Sequence, residues 1–155
     1  MRQTYITHQL VEFIPEHLGE GVLYISQQYR TAAHLCCCGC GKEIITPLTP
    51  TDWALRIDEG KVTLSPSIGN WSLACQSHYW IKRNKVVWAG KMSQRQIELG
   101  RKIDCATKQR YFEALNHQKA SHSGSPANRM SSPSGEIGMF HSLWKVIKRW
   151  WKSLE

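Results

Sequence analysis

Four thiols and an imidazole fall within the seven residues His34-Leu35-Cys36-Cys37-Cys38-Gly39-Cys40, and Gly41 follows at once. Cysteines this close cannot bridge one another without strained geometry, so the cluster reads as a metal site rather than a disulfide framework. Tetrahedral zinc takes four ligands, and neighbouring cysteines rarely all reach one ion, so a distant segment must contribute. Cys75 is the obvious donor. The expected ligands are therefore Cys36, Cys38, Cys40 and Cys75, with Cys37 turned away on the extended backbone. His78, in the chelating spacing Cys75-x-x-His78, and His34 are the competing nitrogen donors. Four protein ligands fill the shell, and several thiolates blunt the acidity of the ion toward water, so the expected zinc is structural. A zinc deaminase is excluded because Cys36 stands where its H-x-E glutamate belongs, and no H-E-x-x-H is present.

A metal rather than disulfides also agrees with the expected compartment. No stretch pairs a charged n-region with a long apolar run, and none approaches eighteen consecutive apolar residues, so neither signal peptide nor spanning helix is expected and the default location is the reducing cytoplasm. The 155 residues, 41% hydrophobic and 21% charged, suit one globular domain with an appended segment. Seven tryptophans in so short a chain imply aromatic surface as well as core, and the net charge of +8 favours acidic partners.

The organisation follows from periodicity. Val11-Glu12-Phe13-Ile14, Val22 to Ile25, Glu43 to Thr46, Trp53 to Ile57, Val62 to Leu64, Tyr79 to Ile81 and Val86 to Trp88 read as strands. Asp58-Glu59-Gly60-Lys61 and Lys82-Arg83-Asn84-Lys85 read as hairpin turns. The expected fold is mainly β, a small zinc-stabilised sheet or barrel-like domain over residues 1–119. One α-helix follows the strands, opened by the capping box Ser93 to Gln96. Cys105 on this helix is expected to be an ordinary buried thiol. Residues 120–136, rich in Ser, Pro and Gly, form a flexible linker. Residues 137–155 form a detached amphipathic helix: Ile137, Phe140, Leu143, Trp144, Ile147, Trp151 and Leu154 share one face, opposite Lys145, Arg149 and Lys152. Such a helix can lie on an anionic membrane surface, dock into a partner protein or fold back on its own domain.

The stretch Leu64-Ser65-Pro66-Ser67-Ile68-Gly69-Asn70-Trp71 has the composition of a turn that projects a hydroxyl, with Ser67 as candidate nucleophile. A serine needs a base, and His78, just past Cys75, is placed to be held opposite by the metal clamp. Backbone amides near Gly69 and Asn70 are the expected oxyanion donors. Asp52, Asp58, Glu43 and Asn70 compete as the group that orients the imidazole. Phosphate loops and dinucleotide fingerprints are absent.

Gly21-Val22-Leu23-Tyr24-Ile25-Ser26, Thr31 to Gly41, Pro66 to Trp71 and Cys75 to Ile81 together resemble a family of small bacterial zinc-binding proteins. These are encoded beside ubiquitin-like modifiers and their activating and conjugating enzymes in phage-defence operons. The resemblance covers about residues 10 to 90. The family pattern has proline where Cys37 stands, which supports leaving Cys37 out of the metal shell. The resemblance implies a serine-type peptidase that trims or removes the modifier, with Ser67 as nucleophile and His78 as base. The alternative is a non-catalytic zinc adaptor that binds the modifier or its conjugation enzymes. Nucleic acid is the less favoured partner; it would engage Lys82, Arg83, Lys85 and Lys91, with Trp80 and Trp88 as stacking surfaces.

Overall fold

The computed structural model describes residues 1–122, with side chains through residue 120. Strands β1 (Thr7–Leu10), β2 (Val22–Ser26), β3 (Thr31–Leu35) and β4 (Glu43–Pro47) form one sheet in that order. Strands β5 (Ala54–Asp58), β6 (Lys61–Gly69), β7 (His78–Lys82) and β8 (Lys85–Trp88) form the other, and α1 (Gln94–His122) follows. The domain is mainly β, as expected, but neither sheet closes, so there is no barrel.

Period-two alternation places the core. Leu23 and Ile25 of β2, Ala32 of β3 and Ile44 of β4 meet Val62, Leu64 and Ile68 of β6, Tyr79 and Ile81 of β7, and Val86 of β8. Burying each of the larger aliphatic side chains is worth about 1.5–3 kcal/mol. Because Ile68, Tyr79 and Ile81 point inward, the alternating Ser67, Gly69, His78 and Trp80 face the other way. Both expected hairpins are present. Glu59 and Gly60 have positive φ, as do Arg83 and Asn84, which is the backbone a two-residue primed turn requires. Asn84 then secures its turn by accepting from the Val62 amide and donating to the Tyr5 hydroxyl.

Two strand assignments differ from the sequence expectation. Val11-Glu12-Phe13-Ile14 is not a strand. Val11 still donates to the Ile25 carbonyl, but the Glu12 carbonyl takes the Ser26 hydroxyl and pairing stops there. The first strand lies just upstream, where polar Thr7-His8-Gln9 pairs in parallel with β2. Thr31-Ala32-Ala33-His34-Leu35 is a strand despite its alanines, because β2 and β4 pair with it on both sides.

Residues Gln3 to Ile6 stitch the two sheets together. The Gln3 amide donates to Cys37 O and the Gln3 carbonyl accepts from Trp88 Nε1. Thr4 O accepts from Val86 N, and Ile6 N donates to Asn84 O, before β1 joins the opposite sheet. The capping box is formed as expected: Ser93 Oγ accepts from Gln96 N, and Gln96 Oε1 accepts from Ser93 N. Cys105 is exposed on α1, which corrects the expectation of a buried thiol. No helix among the described residues is long and apolar enough to cross a membrane. The contacts divide the chain between Gln118 and Lys119. The expected linker (120–136) lies almost wholly outside the described residues, and the amphipathic helix (137–155) entirely so.

Candidate active site and metal centre

A two-glycine turn gathers the upstream thiols. Gly39 and Gly41 both have positive φ, the Gly39 amide bonds back to Cys36 O, and the Cys36 amide bonds to Lys42 O. Cys75 approaches from the loop between β6 and β7. The sulfurs of Cys36, Cys38, Cys40 and Cys75 all lie within 4.8 Å of one another. Cys36 Sγ is 3.4 Å from Cys38 Sγ and 4.0 Å from Cys75 Sγ. Four sulfurs about 2.3 Å from one ion at tetrahedral angles stand about 3.8 Å apart, so this group is near the spacing that one metal ion requires.

The thiol environment favours a bound cation. Burial and the neighbouring Cys36 and Cys40 sulfurs push the Cys38 thiol up to about 12. At Cys75 burial raises the pKa, but hydrogen bonds from Ser77, Cys38 and Cys40 outweigh it and leave the thiol at about 7. Sulfurs this close cannot all ionise until a positive charge lies among them. Ser77 Oγ lies 3.1 Å from Cys36 Sγ, and Asn70 Nδ2 lies 3.6 Å from the same sulfur, so a hydroxyl and an amide can donate to that thiolate.

Both competing nitrogen ligands are engaged elsewhere. His34 is fully buried, its Nε2 is 2.8 Å from the Tyr79 hydroxyl, and burial lowers its pKa to about 4. Its Nδ1 has no partner among the described residues. Cys37 is in the core, outside the sulfur group, and burial pushes its thiol up to about 12.

His78 Nε2 lies 3.0 Å from Ser67 Oγ. Ser67 is not in a turn: it belongs to β6, in an irregular stretch that also contains the cis Ser65-Pro66 peptide bond. Leu64 pairs with Ile81 and Ile68 with Tyr79, so Ser65, Pro66 and Ser67 bulge opposite Trp80 alone. The bulge sets Ser67 diagonally across from His78 on the face turned from the core. Asn70 and Ser77 lock the strand ends below the pair. Asn70 N donates to Ser77 O, and Asn70 Nδ2 donates to Ser77 Oγ at 2.8 Å. One clasp therefore touches the sulfur cluster on one side and precedes His78 on the other.

The group facing His78 Nδ1 is the Gly90 carbonyl, at 3.3 Å. This partner fixes the proton on Nδ1 and leaves Nε2 to accept from the Ser67 hydroxyl. Burial lowers the His78 pKa, with the Gly90 carbonyl opposing, so the imidazole is neutral near pH 7. Three of the side chains expected to orient it are engaged elsewhere, and the fourth is exposed on the other sheet. Asp52 binds Lys108 and Thr49, Asp58 binds Arg56, Asn70 is in the clasp, and Glu43 is exposed at the start of β4. Asn70 also drops out as an oxyanion donor, since its backbone and side-chain amides are both taken.

Trp71 and Trp80 flank the imidazole, with ring centroids 4.9 Å and 5.4 Å from it. Lys82 Nζ stands over Trp80, and the Arg2 guanidinium over Trp88. Those rings are already covered by cations, which counts against base stacking there. A cavity of about 340 Å³ lies elsewhere, between Thr49–Asp52 and α1, where Asp52 and Lys108 form an ion pair. Neither Ser67 nor His78 lines it.

A family model described as bacterial ubiquitination-like system serine protease (BubE) matches residues 10–89. No curated protein and no solved structure matches the chain.

Proposed function

The chain belongs to the BubE family of bacterial ubiquitination-like system serine proteases, and from that membership we propose that it is a zinc-stabilised hydrolase acting at the C-terminus of a ubiquitin-like modifier. The observation that carries this reading is the 3.0 Å contact between Ser67 Oγ and a His78 whose other nitrogen faces a carbonyl. Neutral His78 takes the Ser67 proton as Oγ attacks the carbonyl carbon of the modifier's last residue, whose bond to the following group then breaks. It then returns that proton to the leaving group, and water repeats the cycle on the acyl-enzyme. Gly90 does the work usually given to a carboxylate, holding the ring and its tautomer without supplying a full negative charge.

Zinc would be held by Cys36, Cys38, Cys40 and Cys75, where it supplies a structural tie between the cysteine loop and the β6–β7 connection rather than a reacting centre. The four-sulfur donor set supports this soft divalent ion over magnesium or calcium. Ser67 and His78 keep their relative position because Asn70 and Ser77 are fastened to that tie.

The test is incubation of zinc-loaded protein with a modifier bearing a C-terminal extension. Wild type should release the extension and Ser67→Ala should not. If both leave it uncut while both still bind the modifier, the protein is an adaptor and the hydrolase reading fails.

A further inference from the structure

A serine hydrolase needs a donor for the oxyanion as well as a base, and Asn70 cannot supply one. Resting on the hydrolase reading, we propose that the indole N–H of Trp71 is that donor. Trp71 is two residues past Gly69, and its ring folds back over the Gly69 backbone. A Cβ at Gly69 would stand 2.6 Å from Cε2, 2.9 Å from Cζ2 and closest of all to Nε1. The indole nitrogen thus occupies the side-chain position of Gly69, which lies on the same face of β6 as Ser67 and beside paired His78. The ring contacts the His78 imidazole at 4.9 Å between centroids. Trp71 is half-buried, and among the described residues its N–H donates to no acceptor. Indole nitrogen only donates, so an oxygen arriving beside Ser67 is the partner it lacks.

In the reaction, Ser67 Oγ bonds to the carbonyl carbon as its proton passes to His78 Nε2. The carbonyl π pair moves onto oxygen, and the Trp71 N–H hydrogen-bonds that oxyanion. When the pair returns, the bond to the leaving amine or alkoxide breaks and His78 protonates the departing atom. The glycine is required because a side chain there would push the indole off this position.

Phosphonylation by a fluorophosphonate imitates this step without needing the modifier. Ser67 Oγ bonds to phosphorus, fluoride leaves, and the phosphoryl oxygen occupies the oxyanion position. The experiment compares full-length, zinc-loaded wild type, Ser67→Ala, Trp71→Phe and Trp71→His, each checked for zinc content and melting temperature. Trp71→Phe keeps a ring on His78 but no N–H; it should label about a hundredfold more slowly, the loss typical of one oxyanion donor. Trp71→His restores a ring N–H and should recover part of the rate, with the pH midpoint of labelling unchanged in both variants. Labelling of Trp71→Phe within about threefold of a Ser67-dependent wild type overturns the Trp71 assignment alone. A wild type that labels no faster than Ser67→Ala overturns the hydrolase reading and this inference with it.

Discussion

Substituting Gly69 by alanine tests whether the Trp71 ring stands where the structure puts it. The Gly69 backbone lies outside the left-handed region, so alanine meets no φ penalty. Removing glycine freedom from the unfolded chain should even stabilise the fold by about 0.4–1 kcal/mol. Against this, the new Cβ falls 2.6 Å and 2.9 Å from two carbons of the Trp71 ring, contacts that rigid packing cannot absorb. Such overpacking costs about 1–3 kcal/mol, so the net effect is a loss of about 1–2 kcal/mol. For a domain of this size that is a fall in melting temperature of roughly 4–8 °C. The assay is thermal unfolding in excess zinc of wild type, Gly69→Ala, Trp71→Ala and the double variant. Without the indole the clash disappears, and Gly69→Ala should then be neutral or slightly stabilising. The coupling between the two sites should be at least about 1 kcal/mol. An equal fall in both backgrounds would show that the ring does not lie over Gly69.

Cys75→Ser should abolish stoichiometric zinc retention after dialysis and lower the melting temperature, whereas Cys37→Ala should lower the melting temperature by opening a core cavity and leave zinc content unchanged. Asn70→Ala removes donors to Ser77 and Cys36, and should weaken zinc retention against a competing chelator by about 10–100-fold while all four ligands remain. Because burial depresses the His78 pKa, hydrolysis should rise with pH through a midpoint below the ordinary histidine value of about 6.5 and stay level above it. The stability linkage has the same sign: the unfolded chain binds the proton more readily, so the contribution of His78 is present above about pH 6.5 and is lost as pH falls through its folded value. A rate that keeps climbing between pH 7 and 8 would contradict the assignment of His78 as base.

What the sequence made legible depended on whether side chains or backbone carried the signal. Cys36, Cys38, Cys40 and Cys75 could be picked out because sulfur has few roles in a chain without disulfides, and glycines after Cys38 and Cys40 marked the turn. Ser67 and His78 were visible as residue types, yet the geometry was misjudged: Pro66 suggests a turn, while the structure uses it in a bulge within a strand. Gly90 was out of reach, because any residue can offer a carbonyl and only the fold decides which one meets Nδ1. Trp71 was quoted in its motif without a role, although Gly69 two residues earlier is the signal that something must lie against the chain there. The alanines of β3 hid a strand that pairing on both sides enforces.

The stitch made by Gln3 to Ile6 has a consequence for how the molecule comes into being. Gln3 accepts from Trp88, eighty-five positions later in the chain. Docking so early a segment onto so late a strand adds contacts of long sequence separation, which form slowly. During synthesis Thr4 and Ile6 emerge long before Val86 and Asn84, so these hydrogen bonds must wait until β8 has cleared the ribosome. A truncated chain beginning at Leu10, which keeps the whole family-matched stretch, would lose the piece that joins the sheets and should emerge from the cell aggregated rather than folded.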